Sequence, residues 1–454
     1  MDSRYRSALL AALLTFAHSP FLAAGGLSGP RISLRDAALL AAKDNPLVNA
    51  AHRDVEIAGS RLSRSWREYV PEISLNARYS RLNDVIALRL DPVTLPLPPK
   101  GLTVTLPPIE LLERSTLRAD ATVTLPLFTG LRIEAGIRAS QHLLRKATME
   151  DTLALARNVT ESLLAYHGCL LARMNAAARS EALETVRHHR RDAEALRAEG
   201  VATQYDLIRA SLAENEAIRS LDEARHQESL SLRLLKRTLS IPDSVEIDLS
   251  DTLSYDPRSV DLPSALSEAA GARPELAMLD AGIDAARAAG WTEDGKMLPQ
   301  IYAFGRYEFV DRGLTPLDPK WAVGIGASLT VFNGLRDRSA AAEYELLAKK
   351  TEGLRQDAAD GIALEVRKYY FEMQTAEHEI VATESAVTLA AEALRMAGRR
   401  FETGTGTSLE VIDAQTALVA NRTARAASLY RYRVSYINLV RSLGRTAELL
   451  TGVF

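Results

Sequence analysis

The 454-residue sequence predicts a mainly α-helical chain with a smaller β part, a sheet or a membrane β-barrel, built as two structural repeats. The first observation is an internal duplication, because a helix, two strands and a helical hairpin follow in the same order in both halves. The second is a set of four segments in which apolar and polar residues alternate. The third is a pair of very long helical segments that contain no proline.

The duplication is visible at two constant offsets. Pro71 in the first half recurs as Pro299, 228 positions later, and LPLFTGLR recurs as LTVFNGLR, 204 positions later. The 24 extra residues of the first half lie between its two strands and are rich in proline. Such a segment favours polyproline or irregular backbone, so we expect a surface loop there.

The offsets define the domain organisation. We expect an export signal at residues 1–24, a first repeat at 25–240, a linker at 241–261, a second repeat at 262–445 and a short tail at 446–454. The predicted strands cover about 71–90, 115–127, 299–311 and 320–331, and the predicted hairpin tips lie near 199–204 and 402–408.

The first 24 residues are typical of a secretory signal. Arg4 and Arg6 precede an apolar run from Ala8 to Phe16 that is too short to span a bilayer as a helix, and small residues follow it. A membrane anchor is the alternative.

No later stretch contains about 18 consecutive apolar residues. If the exported chain enters a membrane, it must therefore do so with strands.

Composition excludes several classes of function. The formal net charge of −3 provides no basic field for nucleic acid. A single cysteine, Cys169, excludes an intramolecular disulfide and a thiolate metal cluster. The adjacent His188 and His189 point in different directions on a helix and are expected on a solvated face. No catalytic constellation or cofactor motif stands out, so we expect neither an enzyme nor a cofactor.

Each predicted strand has one apolar face. A sheet covered on one side and a barrel with its apolar face toward lipid both give this pattern. Aromatic residues at the strand ends favour a membrane interface, although ordinary core aromatics remain the alternative. Four strands cannot close a barrel, so they either pack as a soluble sheet or are completed by other chains. Three copies would supply twelve strands.

The helical segments from Gly130 to Arg197 and from Asn333 to Phe401 contain no proline. Each would run roughly 100 Å if continuous. Helices of this length need partners along their length, and the return arm from Leu409 to Val440 has apolar residues at alternating steps of three and four, as in an imperfect heptad seam. We therefore expect coiled-coil hairpins.

These features resemble the TolC family of outer-membrane efflux channels, the outer-membrane factors of tripartite efflux or type I secretion systems. The resemblance covers the chain after the signal. Its most specific parts are the strand–helix junctions and the second hairpin turn, RFETGTGTSLEVIDAQTAL. The junction residues are Phe128, Gly130, Phe332 and Gly334. The resemblance implies a homotrimer with a twelve-stranded barrel in outer-membrane lipid and a helical tunnel in the periplasm.

The resemblance also assigns roles at the hairpin tips. Glu410 and Asp413 fall where family members place acidic rings at a periplasmic constriction. Residues three apart project from one helix face, so three chains would bring six carboxylates toward one axis. A solvated acidic face at a helix start is the alternative.

The remaining tip residues are expected to shape the turns and to meet a periplasmic adaptor. We expect positive φ values at Gly200, Gly404 and Gly406. Asp206 falls where the family has an acid that ties neighbouring hairpins in the closed state, but Gly406 stands where its basic partner is usual. Arg400, Arg197 or Arg209 could replace that partner.

The sequence therefore predicts a conduit that carries substrate from an inner-membrane pump, through the adaptor, to the outside. A soluble periplasmic coiled-coil scaffold is the alternative. The cargo stays open among drugs, metal ions and secreted proteins.

Overall fold

A computed structural model describes residues 30–43, 45–96, 102–310, 315 and 318–451. The predicted export signal lies outside the described residues. The helices in chain order are α1 (Leu34–Lys43), α2 (Pro46–Arg67), α3 (Arg132–Ala198), α4 (Gln204–Thr238), α5 (Leu262–Ala272), α6 (Pro274–Asp294), α7 (Arg336–Glu402), α8 (Ser408–Ser442) and α9 (Thr446–Thr451). The strands are β1 (Arg31–Ile32), β2 (Glu72–Arg81), β3 (Ile86–Leu88), β4 (Val93–Leu95), β5 (Leu102–Val104), β6 (Ile109–Leu112), β7 (Ser115–Phe128), β8 (Asp248–Leu249), β9 (Gln300–Val310) and β10 (Trp321–Ser328).

The spacing of apolar residues from Leu34 to about Trp66 predicts one helix, but the structure has two, because Pro46 begins α2. Proline lacks the backbone N–H that a continuous helix would use as a hydrogen-bond donor. Asn45 caps the new helix, since its side chain accepts a hydrogen bond from the Leu47 amide at 2.8 Å. The second repeat has the same break, since Pro274 begins α6. The two proline positions are equivalent in the duplication, so the break belongs to the repeat.

The four long strands form one antiparallel sheet in the order β10-β9-β7-β2. Each repeat supplies two neighbouring strands, and β7 pairs with β9 between the repeats. The register places Leu75 opposite Ala121 and Ala121 opposite Tyr307 on one face. This face is open, since Ile73, Leu75, Val323 and Ile325 are 70–74% exposed.

The opposite face of the sheet is polar at its centre. Asn76 donates a hydrogen bond to Asp120 at 3.1 Å, and Arg306 pairs with the buried Glu308. The sheet therefore carries its charges on one side and its exposed apolar side chains on the other.

The proline-rich connection differs from the predicted irregular loop. The strand predicted to run to about residue 90 ends at Arg81, and two short pairs, β3 with β6 and β4 with β5, continue the hairpin beyond a bend. Pro92, Pro96 and Pro108 stand directly beside these short strands. Proline there removes no ladder hydrogen bond, which is why strands form in a proline-rich segment.

The long helices form two hairpins, α3 with α4 and α7 with α8, and each of α3 and α7 is 67 residues long. α3 also packs against α8, so the helical layer has the order α4-α3-α8-α7. α2 packs against α3, and α6 packs against both α3 and α7. The predicted coiled-coil hairpins are therefore present, with one hairpin from each repeat.

The main core lies where the linker crosses the hairpins. Tyr166 on α3 is fully buried, and its hydroxyl lies 2.9 Å from the Ile32 carbonyl oxygen and 2.7 Å from the Asp251 carboxylate. Tyr432 on α8 holds the linker at a second point, since its hydroxyl donates to the Asp256 carbonyl oxygen at 3.0 Å. Strand β8 of the linker pairs in parallel with β1, which forms a small collar around this core.

The tail after the second repeat begins with the short helix α9, in which Leu449 is fully buried. Arg445 precedes it and donates two hydrogen bonds of 2.7 Å to Glu268 on α5. These contacts fix residues 446–451 to the core, and Phe454 lies outside the described residues.

Candidate functional site

The two hairpin tips are built alike. Gly200 and Gly404 follow the long outgoing helices and have φ values of 79° and 68°, as predicted for a residue without a Cβ atom. A threonine then caps the returning helix in each tip. Thr203 accepts a hydrogen bond from the Asp206 amide at 3.1 Å, and Thr407 accepts one from the Glu410 amide at 3.3 Å.

Gly406 does not have the positive φ that the sequence predicts, since it is absent from the left-handed glycines of the described chain. Its small size matters for another reason. A Cβ atom at Gly406 would lie 2.9 Å from the Arg400 Cβ and 3.2 Å from a Glu410 carboxylate oxygen. The turn therefore needs glycine there because Arg400 and Glu410 close around it.

The two predicted constriction acids lie in the first two turns of α8. Glu410 is half-buried, and its carboxylate lies 3.5 Å from the Arg400 guanidinium. Asp413 is exposed one turn later. Arg400 also donates a hydrogen bond to the Thr405 carbonyl oxygen at 3.3 Å. The ion pair holds Glu410 against the turn of its own hairpin, whereas Asp413 projects into solvent.

Asp206 links the two hairpins within one chain. Its Oδ2 accepts hydrogen bonds from the Thr203 hydroxyl at 2.6 Å and amide at 3.1 Å, and its Oδ1 accepts one from the Ser408 amide at 3.3 Å. Burial opposes ionisation of Asp206, but the hydrogen bonds from Thr203 and Ser408 outweigh it and hold the pKa of this carboxyl below its usual value.

The three arginines considered as partners of Asp206 contact other groups. Arg400 pairs with Glu410, Arg197 donates to the Gln204 side chain at 2.7 Å, and Arg209 donates to the Tyr205 hydroxyl at 3.0 Å. Within one chain, Asp206 is therefore satisfied by a backbone amide of the other hairpin.

The expectation of a solvated histidine pair is wrong for His189. His188 is exposed and lies 2.7 Å from Asp192, but His189 is buried between the hairpins. The His189 Nε2 atom lies 2.8 Å from the Ser408 hydroxyl, and its ring meets the Phe401 ring edge-on at a centroid distance of 4.6 Å. Burial lowers the pKa of His189. No local sequence pattern indicates this contact, because Ser408 lies 219 positions away from His189.

The two strand–helix junctions have the same backbone conformation. Gly130 and Gly334 have φ values of 63° and 73°, and the leucine after each is also left-handed, with φ values of 63° at Leu131 and 61° at Leu335. The surroundings differ between repeats. Phe128 is 37% exposed and Phe332 is 77% exposed, so the first junction is the more enclosed of the two.

Residues 265–445 match the family described as outer membrane efflux protein. The matched stretch is the second repeat, from α5 to the end of α8. No curated protein matches the sequence. The predicted resemblance to outer-membrane efflux channels is therefore confirmed over the second repeat. A soluble scaffold is not favoured.

Solved structures of outer-membrane channels have the same fold as this chain. The Campylobacter jejuni CmeC outer membrane channel has a TM-score of 0.73 at 15% identity, over 90% of this chain and 85% of that one. The outer membrane protein VceC from Vibrio cholerae has a TM-score of 0.73 at 17% identity, over 90% and 96%. The open state of the Neisseria gonorrhoeae MtrE outer membrane channel has a TM-score of 0.69 at 16% identity, over 92% and 89%. The predicted fold class is thereby confirmed.

None of the helices within the described ranges is both long enough and apolar enough to cross a membrane. Across those same residues, no cluster of three or more His, Cys, Asp or Glu side chains could hold a metal ion.

Proposed function

We propose that this protein is an outer-membrane efflux protein, which acts as a homotrimeric conduit from the periplasm to the cell exterior, with a constriction at the hairpin tips. The observation that carries the proposal is the four-stranded sheet, whose apolar face is exposed and whose edge strands β10 and β2 are both unpaired among the described residues. Exposed apolar patches of this kind mark contact with lipid or protein. Edge strands in lipid need a partner, because unpaired backbone groups cost several kcal/mol each.

The order of the elements supports ring closure. In the sheet, one edge comes from the second repeat and the other from the first, and the helical layer likewise ends in α7 and α4. A β10 edge meeting the β2 edge of the next copy is a head-to-tail contact, and such contacts close into rings. Three copies supply twelve strands and twelve long helices, which makes the sheet part a closed barrel.

The outer faces of both edge helices carry exposed apolar side chains, as a helix–helix contact between copies requires. On α4 they are Tyr205, Ile208, Leu212, Ile218, Leu230 and Leu234, and on α7 they include Leu364, Phe371, Val381, Leu389 and Met396. The α4 face of one copy would pack against the α7 face of the next.

In this ring Glu410 and Asp413 are the proposed constriction residues. Three copies bring six carboxylates to the periplasmic end, and rings of carboxylates favour cations over anions. The tip residues Gly200, Gly404 and Gly406 form the turns that would meet a periplasmic adaptor, which connects the conduit to an inner-membrane pump. The protein supplies a passage rather than bond chemistry, and its barrel faces outer-membrane lipid.

The conduit is tested by purification in detergent and reconstitution into planar bilayers. We expect a trimer by mass, a strand contribution to the circular dichroism spectrum, and discrete conductance steps. A monomer without conductance would refute the proposal.

The constriction is tested by the variant Glu410→Ala, Asp413→Ala. We expect a higher single-channel conductance and weaker block by multivalent cations, because the carboxylates that narrow the opening and attract cations are gone. Glu199→Ala is the matched control, since Glu199 is an exposed acid at the first tip. Unchanged conductance and block in the double variant would remove both residues from the constriction.

A further inference from the structure

The start of α8 is held by the first hairpin at two points, both on Ser408. The Ser408 amide donates to Asp206 at the start of α4, and the Ser408 hydroxyl lies 2.8 Å from His189 on α3. Ser408 is fully buried and is the first residue of α8. Glu410 follows two positions later in the same helical turn. A shift of Ser408 therefore moves the first constriction acid with it.

We propose that His189 is a positioning residue of the constriction, which fixes the start of α8 against the first hairpin through Ser408. The inference rests on the proposed function, because it assigns Glu410 and Asp413 to the narrow end of the conduit. His189 touches neither acid. It acts by setting where the helix that carries them begins.

The packing around His189 supports a fixed position. Phe401 at the end of α7 meets the imidazole edge-on, and Phe401 and Val411 form a small buried cluster with Ala193 and Ala210 from the first hairpin. The ring is therefore enclosed by residues of both hairpins. Its hydrogen bond to Ser408 is the directional contact in this apolar setting, and such bonds are costly to break when the partners stay buried.

The contact is sensitive to protonation. The charged groups that face His189 are Asp192 and His188 on its own helix and Asp206 on α4, while α7 and α8 contribute Phe401 and Ser408. Burial disfavours the charged ring and lowers its pKa despite the two carboxylates. The neutral ring is therefore favoured while His189 is buried against Ser408. An imidazole released to solvent has a pKa of about 6.5. As the pH falls through that value, protonation favours release.

The test measures open and closed dwell times in planar bilayers for the wild type, four single variants and the double variant His189→Leu, Ser408→Ala. His189→Leu removes the hydrogen bond, and Ser408→Ala removes its partner. His189→Gln keeps an amide near the position of Nε2 but cannot titrate. His188→Gln is the matched control, since His188 is exposed and contacts Asp192 of its own helix.

We expect His189→Leu and Ser408→Ala each to raise the ratio of open to closed time about fivefold, as loss of one net hydrogen bond predicts. The double variant His189→Leu, Ser408→Ala should be no more open than either single variant, because both substitutions remove the same contact. His189→Gln should restore the wild-type ratio at pH 7.5, and His188→Gln should leave it unchanged.

The pH profile separates positioning from mere packing. Between pH 7.5 and 5.5 the open time of the wild type should rise, whereas that of His189→Gln should stay constant. The same pH response in both proteins would overturn the proposal. So would an unchanged His189→Leu in a channel that Glu410→Ala, Asp413→Ala opens, whereas failure of both sets of variants would refute the constriction itself.

Discussion

Gly130 and its repeat equivalent Gly334 provide a matched pair of substitutions. Both residues are left-handed, with φ values of 63° and 73°. A Cβ atom at Gly130 would lie 2.2 Å from the Gly295 carbonyl oxygen and 2.8 Å from the Leu298 Cβ. A Cβ atom at Gly334 would meet no atom within 4 Å. Alanine therefore has the same conformational cost at both positions, and it collides with neighbouring atoms only at position 130.

The magnitudes follow from these two terms. Alanine in a left-handed conformation costs about 1–2 kcal/mol relative to glycine. We expect Gly334→Ala to lower the free energy of unfolding by this amount. Gly130→Ala adds a collision with backbone, which no rotamer change relieves, and forced backbone shifts cost about 1–3 kcal/mol more. The difference between the variants is therefore about 2 kcal/mol, or roughly 2–4 °C in unfolding midpoint for a chain of this size.

The assay is the thermal loss of helical circular dichroism in the detergent-purified protein. Gly130→Ala should unfold at the lower temperature. Gly295→Ala is a second variant at the same contact, because a Cβ atom there would lie 2.6 Å from the Gly130 carbonyl oxygen. Equal midpoints for Gly130→Ala and Gly334→Ala would show that the close approach of Gly130 to Gly295 is not a constraint on the fold.

Two further substitutions test single contacts by the same thermal assay. Gly406→Ala should cost about 1–3 kcal/mol, because its Cβ would collide with Arg400 at a φ that alanine itself tolerates, and an unchanged midpoint would contradict this steric account. Tyr166→Phe should also cost about 1–3 kcal/mol, because the Ile32 carbonyl and the Asp251 carboxylate lose a buried donor, and an unchanged midpoint would show that water replaces the hydroxyl.

The long strands and helices could be predicted from the sequence because each follows from a periodic pattern of residues. The alternation in β2, β7, β9 and β10 and the proline-free runs of α3 and α7 depend only on neighbours along the chain, and the duplication repeats each signal. The helix break at Pro46 is harder to predict, since the apolar pattern continues on both sides of it. Proline at the first position of a helix is compatible with that pattern, which conceals the boundary.

The details of the tip were not predictable from local signals. His189 lies on a helix among charged residues, and only the placement of α8 against α3 buries it. Gly406 looks like a turn glycine, but its role depends on where the Arg400 and Glu410 side chains meet. Both residues act through contacts between segments that sequence spacing does not bring together. The tip chemistry therefore emerges only once the hairpins are packed.

The two repeats share a backbone plan but differ in how firmly each is enclosed within a single chain. The first junction meets Gly295 and Leu298 closely around Gly130, while the second leaves Gly334 open and Phe332 largely exposed. The tips also depend on the first repeat, because Asp206 and His189 of the first hairpin hold Ser408 of the second. The first repeat thus acts as the frame, and the second repeat, which carries Glu410 and Asp413, takes its position from that frame. In the proposed constriction, Glu410 and Asp413 would therefore shift when the contacts of Ser408 with Asp206 and His189 break.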